Sequence, residues 1–483
     1  MRNWLAAAAV AAAGVALRVW VYRSPVASPD SDEAIVGLMA RHVLHGELTT
    51  FYWGQPYGGT QEVLLVAPLF GVFGTSLVAL RIVPIALVAV ACLLTWRVGL
   101  RTFGARAAFV AGSVLWLWPP YTIAHTTKEY GFYASNLVYC ALLPLLALRI
   151  VDRPTRARVA WFGLALGLAF WQTAQIIPIA LPVIGWTAWQ APRALRHAWV
   201  GLAAAVVGAL PWLVWNAQHG FASVLTGSDA GSYGHGVRLL VSPLLPMLLG
   251  LRAPLSAQAI APKPLMYAAY AALAAAFAYG AWRTRRTRAS LLYVVAAAFF
   301  VIWPISHRVT LLTSHPVYLV VLSPILALLV AQLARSELAA VAVVAVVAFV
   351  SVLTLHRMDH WYRTDPDQWP PPVPRSFAVL TGELDRLGVK RVYANYWIAY
   401  RLDLETRERI AATEYPYTAL AVEHGGLVPS PAAATRYPPY RRAVEAGEHA
   451  FVVFRHDPMP RRQLAAHGYE RTVVGPFAVF ARH

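Results

Sequence analysis

The chain has 483 residues, 58% of them hydrophobic and only 13% charged, with a mean hydropathy of +0.51. Soluble domains carry about 25% charged residues, so the composition excludes a soluble globular chain and points to an α-helical polytopic membrane protein. A net charge of +18 would suit a nucleic-acid partner. Many of the arginines instead fall in short gaps between apolar runs, where positive-inside topology places them, so the expected partner is the lipid bilayer and not nucleic acid.

The N-terminal run MRNWLAAAAVAAAGVALRVWVY is long enough to cross a bilayer, and no clear cleavage site follows it. It reads as a retained first span, residues 4–22, with Arg2 in the cytosol. Residues 28–62 follow as a long polar outer segment. Residues 63–74 are apolar but too short to cross, and read as an interfacial helix. Further spans are expected at 77–100, 107–118, 137–150, 159–171, 176–189, 199–215, 265–282, 289–303, 317–333 and 338–355, about eleven in all. Every gap assigned to the cytosol carries arginine, for example Arg97, Arg101 and Arg106, or Arg283, Arg285, Arg286 and Arg288. The alternation never breaks, which places the protein in the plasma membrane with its N-terminus cytosolic and its C-terminus outside. Cys92 and Cys140 lie in apolar segments and imply no disulfide framework.

After residue 357 the composition changes. The run DPDQWPPPVP stiffens a linker, residues 358–376, with proline. Residues 377–483 are charged with short apolar runs. Helices are expected at 379–387, 396–404 and 460–467, strands at 391–395, 409–413 and 450–454, and a hairpin from 471–474 and 477–480. The expected division is a membrane catalytic domain, 1–357, the linker, and a small extracytoplasmic α/β domain, 377–483.

Polar groups concentrate at the outer ends of the spans. The first outer segment holds Asp30, Asp32 and Glu33, then Gln55, Tyr57 and Glu62. Its acids can N-cap a helix starting near Glu33. Long structured loops also carry function. Asp32 and Glu33 are adjacent, so on a helix they diverge by about 100° and one of them faces a given reactant. Such a carboxylate can take a proton from an attacking hydroxyl or hold a divalent cation. No cofactor is required by the sequence. The second outer loop carries His125, Lys128, Glu129 and Tyr130. Lys128 has the chemistry to neutralise a lipid-linked phosphate, or to snorkel beside an aromatic belt of Tyr130 and Tyr133. A third cluster, His307, Arg308 and His315, offers a second phosphate contact in Arg308, with the histidines ranked below it.

The succession SDEAIVGLMARHVLHGE, FYWGQPYGGTQE, an apolar run ending LFGVFG, and LRIVP resembles the GT-C glycosyltransferases, which use polyprenyl-phosphate sugars. The resemblance is to the bacterial branch related to protein O-mannosyltransferases and the aminoarabinose transferase of lipid A, and covers roughly residues 4–355. It implies that Asp32, with Glu33 beside it, is the catalytic carboxylate, and that Lys128 and Glu129 belong to the loop that contacts lipid phosphate. Many relatives open a late span with an Arg-Tyr pair; here Val317 precedes Tyr318, and Arg308 and His315 are the candidates to replace that arginine. YWIAYRLDLETRERIAAT resembles the outer domain of some bacterial members.

The expected function is transfer of a sugar from a polyprenyl-monophosphate donor to a hydroxyl acceptor on the outer face, with inversion. Lys128, Arg308 and His315 would bind donor phosphate. Glu129, Glu62, Tyr57, Gln55 and Tyr130 would contact acceptor or metal. Two rivals stand beside this reading. A lipid-linked-sugar flippase calls for charges or broken helices at mid-span, and a non-catalytic envelope-assembly protein would use the C-terminal domain for binding.

Overall fold

The computed structural model describes residues 2–225, 232–254, 258–305, 315–365, 373–423, 426–431 and 435–482. Apolar runs become helices, because only a helix satisfies every backbone N–H and C=O within one segment when water is absent. Five of them are long and apolar enough to cross a membrane: Arg2–Arg23, Leu77–Thr102, Tyr133–Asp152, Lys263–Thr284 and Glu337–Thr364. A bent pair brings the number to six. Shorter helices, Ala105–Leu117, Arg156–Gln172, Ile177–Gln190 and Ser290–Ile302, occupy other expected spans. Gln61–Phe73 is a 13-residue helix where an interfacial one was expected.

Three spans differ from the sequence reading. The seventh is broken: Pro192–Gly208 and Leu210–Gln218 meet at 62°, with Pro211 near the start of the second helix, where a missing N–H does no harm. The tenth begins as a 3-10 turn, Val317–Leu322, before the helix Ser323–Ala331. Pro324 has no N–H to give the carbonyl four residues back, so the α-helix opens with this proline in its first turn. The eleventh continues to Thr364, into the expected linker. Its polar end stays helical because Arg363 pairs with Asp359 one turn earlier (2.8 Å), and Asp359 also accepts from Ser24 Oγ (2.5 Å).

The chain forms two compact units. The larger comprises residues 1–27, 56–62 and 81–364. Within it, Arg156–Gln172 and Ala198–Gly208 pack backbone to backbone. A Cβ on Gly163 would lie 1.9 Å from the Gly201 carbonyl oxygen, and one on Gly167 would lie 2.0 Å from that of Ala205. Small residues four apart on both helices make this approach possible, as is common where lipid supplies no hydrophobic drive between helices.

The second unit comprises residues 28–55, 63–80 and 365–483. Its five-stranded sheet is built from β1 (Arg391–Ala394), β2 (Ala411–Glu414), β5 (Ala450–Phe454), β6 (Glu470–Val474) and β7 (Phe477–Ala481), in the order β2-β1-β5-β7-β6. The pairs β1–β2 and β1–β5 are parallel; β5–β7 and β6–β7 are antiparallel. The hairpin β3 (Ala419–Glu423) and β4 (Gly426–Ser430) and the helix Pro438–Glu445 were not anticipated. Tyr393, Phe451, Phe480, Val444 and Leu464 fill one core. Residues 28–55 of the first outer segment thus belong to the unit of the C-terminal residues, and residues 56–62 to the larger one.

Candidate functional site

In the second unit, Asp30 N-caps the helix Ser31–Leu44: its Oδ1 accepts from Glu33 N–H at 3.1 Å. The cap fixes the first turn and with it the divergence of the two adjacent acids. Glu33 is fully buried and feels the charge of Arg401. Asp32 is half-buried, and its carboxylate accepts a hydrogen bond from the Tyr396 hydroxyl. The Tyr52 hydroxyl donates to the Asp32 carbonyl, and Ser31 Oγ donates to the Tyr396 carbonyl. Of the adjacent pair, Asp32 is the more exposed member and Glu33 the buried one.

Tyr396 opens the helix Tyr396–Glu405, capped by Asn395, whose Oδ1 accepts from Trp397 N–H at 2.8 Å. This helix and Ser31–Leu44 run side by side in the same direction. A Cβ on Gly37 would meet Leu404 at 2.9 Å, so only glycine permits the approach without displacing leucine. Arg401, with a 1% exposed side chain, ties the two together by donating to the Pro29 carbonyl (2.9 Å) and to Glu405 (2.6 Å). Further along, Glu408 accepts from His42 (2.8 Å), Arg41 (3.2 Å) and Tyr440 (2.9 Å), and His42 reaches Glu47 through its other nitrogen at 2.6 Å. Burial pushes the Glu408 carboxyl up, but these three donors outweigh it and hold the group at about 2. Burial opposes the His42 charge as well, and the two glutamates outweigh it, so His42 is raised. Trp53 stacks on Tyr437 at 4.0 Å. Next to it Gly54, at φ +68, passes so close to the Arg436 backbone that a Cβ would lie 2.6 Å from its Cα. Gln55 sits in the same turn, its N–H donating to the Tyr52 carbonyl at 3.2 Å.

The first unit holds a second carboxyl cluster. Glu62 and Glu129 are both buried and hydrogen-bond one another through their side chains. Burial pushes Glu62 up, opposed by its bonds with Glu129 and Ser135. Glu62 Oε1 accepts from Ser135 N–H (2.8 Å) and Oγ (2.6 Å), and Glu129 Oε1 accepts from Gly131 N–H (2.7 Å). Gln172 closes the group by donating to Ser135 Oγ (2.9 Å) and the Gly131 carbonyl (3.1 Å), while its own carbonyl accepts from Gly59 N–H (2.7 Å).

Beside this pair, Lys128 is 3% exposed and stands 4.9 Å over the Tyr130 ring. Tyr130 stacks on His125 (4.4 Å), which stacks on Tyr121 (5.3 Å) and meets Tyr133 edge-on (4.5 Å). Burial, then the charges of Lys128 and His315, push His125 down to about 3. Burial likewise pushes His315 down to about 4. His315 thus lies near His125 in the Lys128 group. Tyr57 is half-buried in this unit, and Gln55 belongs to the other. His307 and Arg308 lie outside the described residues. Among the described residues, no three His, Cys, Asp or Glu side chains form a metal-binding group.

Sequence reasoning missed Tyr396, Ser135 and Gln172 as site residues. Gln172, polar at a turn between two spans, gave a local signal. Tyr396 lies 364 residues from Asp32, and nothing in its neighbourhood in sequence points to a carboxylate.

No protein-family model and no curated relative matches the sequence. Among solved structures, ArnT from Cupriavidus metallidurans in the apo state superposes with a TM-score of 0.64 at 15% identity, over 98% of this chain and 98% of that one. ArnT bound to undecaprenyl phosphate gives 0.63 at 14%, over 99% and 98%. The likeness runs through the membrane helices and the C-terminal α/β region alike, and this chain has the GT-C fold.

Proposed function

We propose that the protein is a membrane glycosyltransferase that moves a sugar from a polyprenyl-monophosphate carrier to a hydroxyl acceptor. The observation that carries this reading is the shared fold, end to end, with an ArnT structure that holds undecaprenyl phosphate. Asp32 accepts the proton of the acceptor hydroxyl as that oxygen attacks the anomeric carbon. The carrier phosphate leaves from the opposite face, so the anomeric centre inverts. Lys128 neutralises the charge that develops on the leaving phosphate. The aromatic neighbours of Lys128 hold its ammonium in a dry setting, where a phosphate contact is stronger than in water. Glu62 and Glu129 act as hydrogen-bonding groups of the acceptor side. About eleven spans, with a cytosolic N-terminus and an outer C-terminal domain in the plasma membrane, accord with the unbroken arginine alternation.

Purified protein in detergent, offered polyprenyl-phosphate hexoses and pentoses in turn with membrane glycolipid and peptide acceptors, is expected to release polyprenyl phosphate with at least one donor. Release from no donor, alongside carrier movement between leaflets in vesicles, would favour the flippase instead. A reporter active only outside the cytosol, fused after residue 483, is expected to be active. An active cytosolic reporter there would invert the topology.

A further inference from the structure

The C-terminal domain has so far a fold and no task. Its helix Tyr396–Glu405 begins with a side chain whose hydroxyl ends on the Asp32 carboxylate. Three features show that this contact is built and not incidental. The Tyr396 carbonyl accepts from Ser31, so the turn that carries the phenol is tied to the turn that carries the acid. The Tyr52 hydroxyl bonds the Asp32 carbonyl, fixing the backbone from the other side. The ring of Tyr396 is held edge-on by Trp397 (5.0 Å) and Tyr400 (5.8 Å), with the Arg436 guanidinium 5.7 Å from its centre.

We propose that Tyr396 is a positioning residue for Asp32: its phenol fixes the orientation of the Asp32 carboxylate and sets how readily that carboxylate takes a proton. The catalytic part of this inference rests on the role given to Asp32 above. The physical argument is local. A carboxylate that accepts a phenol hydrogen bond is held in a single orientation, as acid–base transfer demands. A bond to the charged form also favours that form. Burial, then the fields of Asp32 and Tyr52, raise the Tyr396 phenol well above its ordinary value, so it remains a donor over the whole working range. The charged groups around the pair are Arg436, which favours the carboxylate, and Glu414, which opposes it; the Tyr400 hydroxyl donates to Glu414 at 2.8 Å. Asp30 and Glu33, on the same helix turn as Asp32, are balanced by Arg401.

The test is infrared titration of the full-length protein, following the carboxyl band that Asp32→Asn removes. Tyr396→Phe is expected to raise the midpoint of that band by about one unit, the scale of one hydrogen bond to a charged group. Replacing Tyr396 by 3,5-difluorotyrosine, a stronger donor of nearly the same shape, is expected to lower it. With an active donor from the panel above, the acid limb of turnover moves in the same two directions, and the donor KM stays unchanged. A merely structural tyrosine would not shift the midpoint in opposite senses. Midpoints unmoved by both replacements, or moved the same way, overturn the inference; if Tyr396→Phe does not fold, the fluorinated protein decides. Near-normal turnover in Asp32→Asn overturns the role of Asp32 and the catalytic part of the inference with it, while the infrared shifts stand or fall separately.

Discussion

The two carboxyl clusters solve one problem in opposite ways. In the unit built from the first outer segment and the α/β domain, the acid at the centre of the His42 cluster stays charged. Glu408 is 26% exposed and is held ionised by Arg41, His42 and Tyr440. In the unit of membrane helices, Glu62 and Glu129 are 1% and 0% exposed, and burial pushes the Glu62 carboxyl up. A half-buried acid can afford ionisation because partners and residual water repay its lost solvation; full burial removes that water and favours the neutral carboxyl. The first cluster is therefore sensitive to pH and salt, and the second is sensitive to the loss of any one hydrogen-bonding partner.

Four substitutions sharpen the contrast. The largest effect is expected at Asp32. Asn is nearly isosteric and keeps the amide able to accept from Tyr396, but it cannot take a proton, so turnover should fall about a hundredfold to ten-thousandfold. Glu33→Gln should cost far less. A severe loss in Glu33→Gln with near-normal turnover in Asp32→Asn would transfer the role to the buried acid.

Lys128→Ala removes a buried charge and a candidate phosphate contact. A charge-assisted hydrogen bond is worth about 1.5–3 kcal/mol, so the donor KM should rise about tenfold or more. An unchanged donor KM combined with a lower thermal midpoint would make Lys128 an anchor for the aromatic stack of His125 and Tyr130.

Glu62→Ala tests the buried pair. It strips the acceptor from Ser135 N–H and Oγ and the partner from Glu129, and each buried group left unsatisfied costs about 1–3 kcal/mol. Thermal unfolding in detergent should shift down, whereas Glu62→Gln, which can still bond both Ser135 and Glu129, should lie close to wild type. Equal losses in both variants would mean that ionisation, not hydrogen bonding, matters there.

The smallest effect is expected at His42. Its raised proton affinity means that protonated His42 stabilises the fold below the unfolded value near 6.5, and that this contribution disappears as pH rises through the higher folded value. Glu408, held at about 2, contributes above the unfolded carboxyl value and loses its contribution as pH falls towards 2. Hydrogen exchange of the helix Ser31–Leu44 should therefore be slowest between these limits. His42→Gln should abolish the alkaline rise and leave the acid one. Exchange that ignores pH on both sides would break the comparison.

Composition and periodicity were enough for the membrane class, because apolar runs and arginine-bearing gaps follow directly from the cost of polar groups in lipid. They also located the strands Ala450–Phe454 and Arg391–Ala394 and the helix Tyr396–Glu405 to within a residue or two at each end. Breaks within spans were less legible. Pro211 and Pro324 are visible as letters, but whether a proline bends a helix or merely starts one depends on what can accept the orphaned carbonyls. The acids of the first segment were legible as a cluster, and the N-cap at Asp30 was one of the options its spelling allowed.

Which acid stays charged was not legible, nor which one faces outward. The pattern SDE is the same string whether Asp32 or Glu33 is buried. The choice was made by Arg401 and Tyr396, residues more than three hundred and sixty positions away that reach the helix only because Gly37 lets Leu404 approach it. Likewise Glu62 and Glu129 are far apart in sequence, and both are withdrawn from water at one point only once the chain has folded. Local sequence determines backbone form because hydrogen bonding and apolar periodicity act over a few residues. Protonation and orientation are decided by solvent exclusion and by partners distant along the chain, and those exist only once the chain has folded.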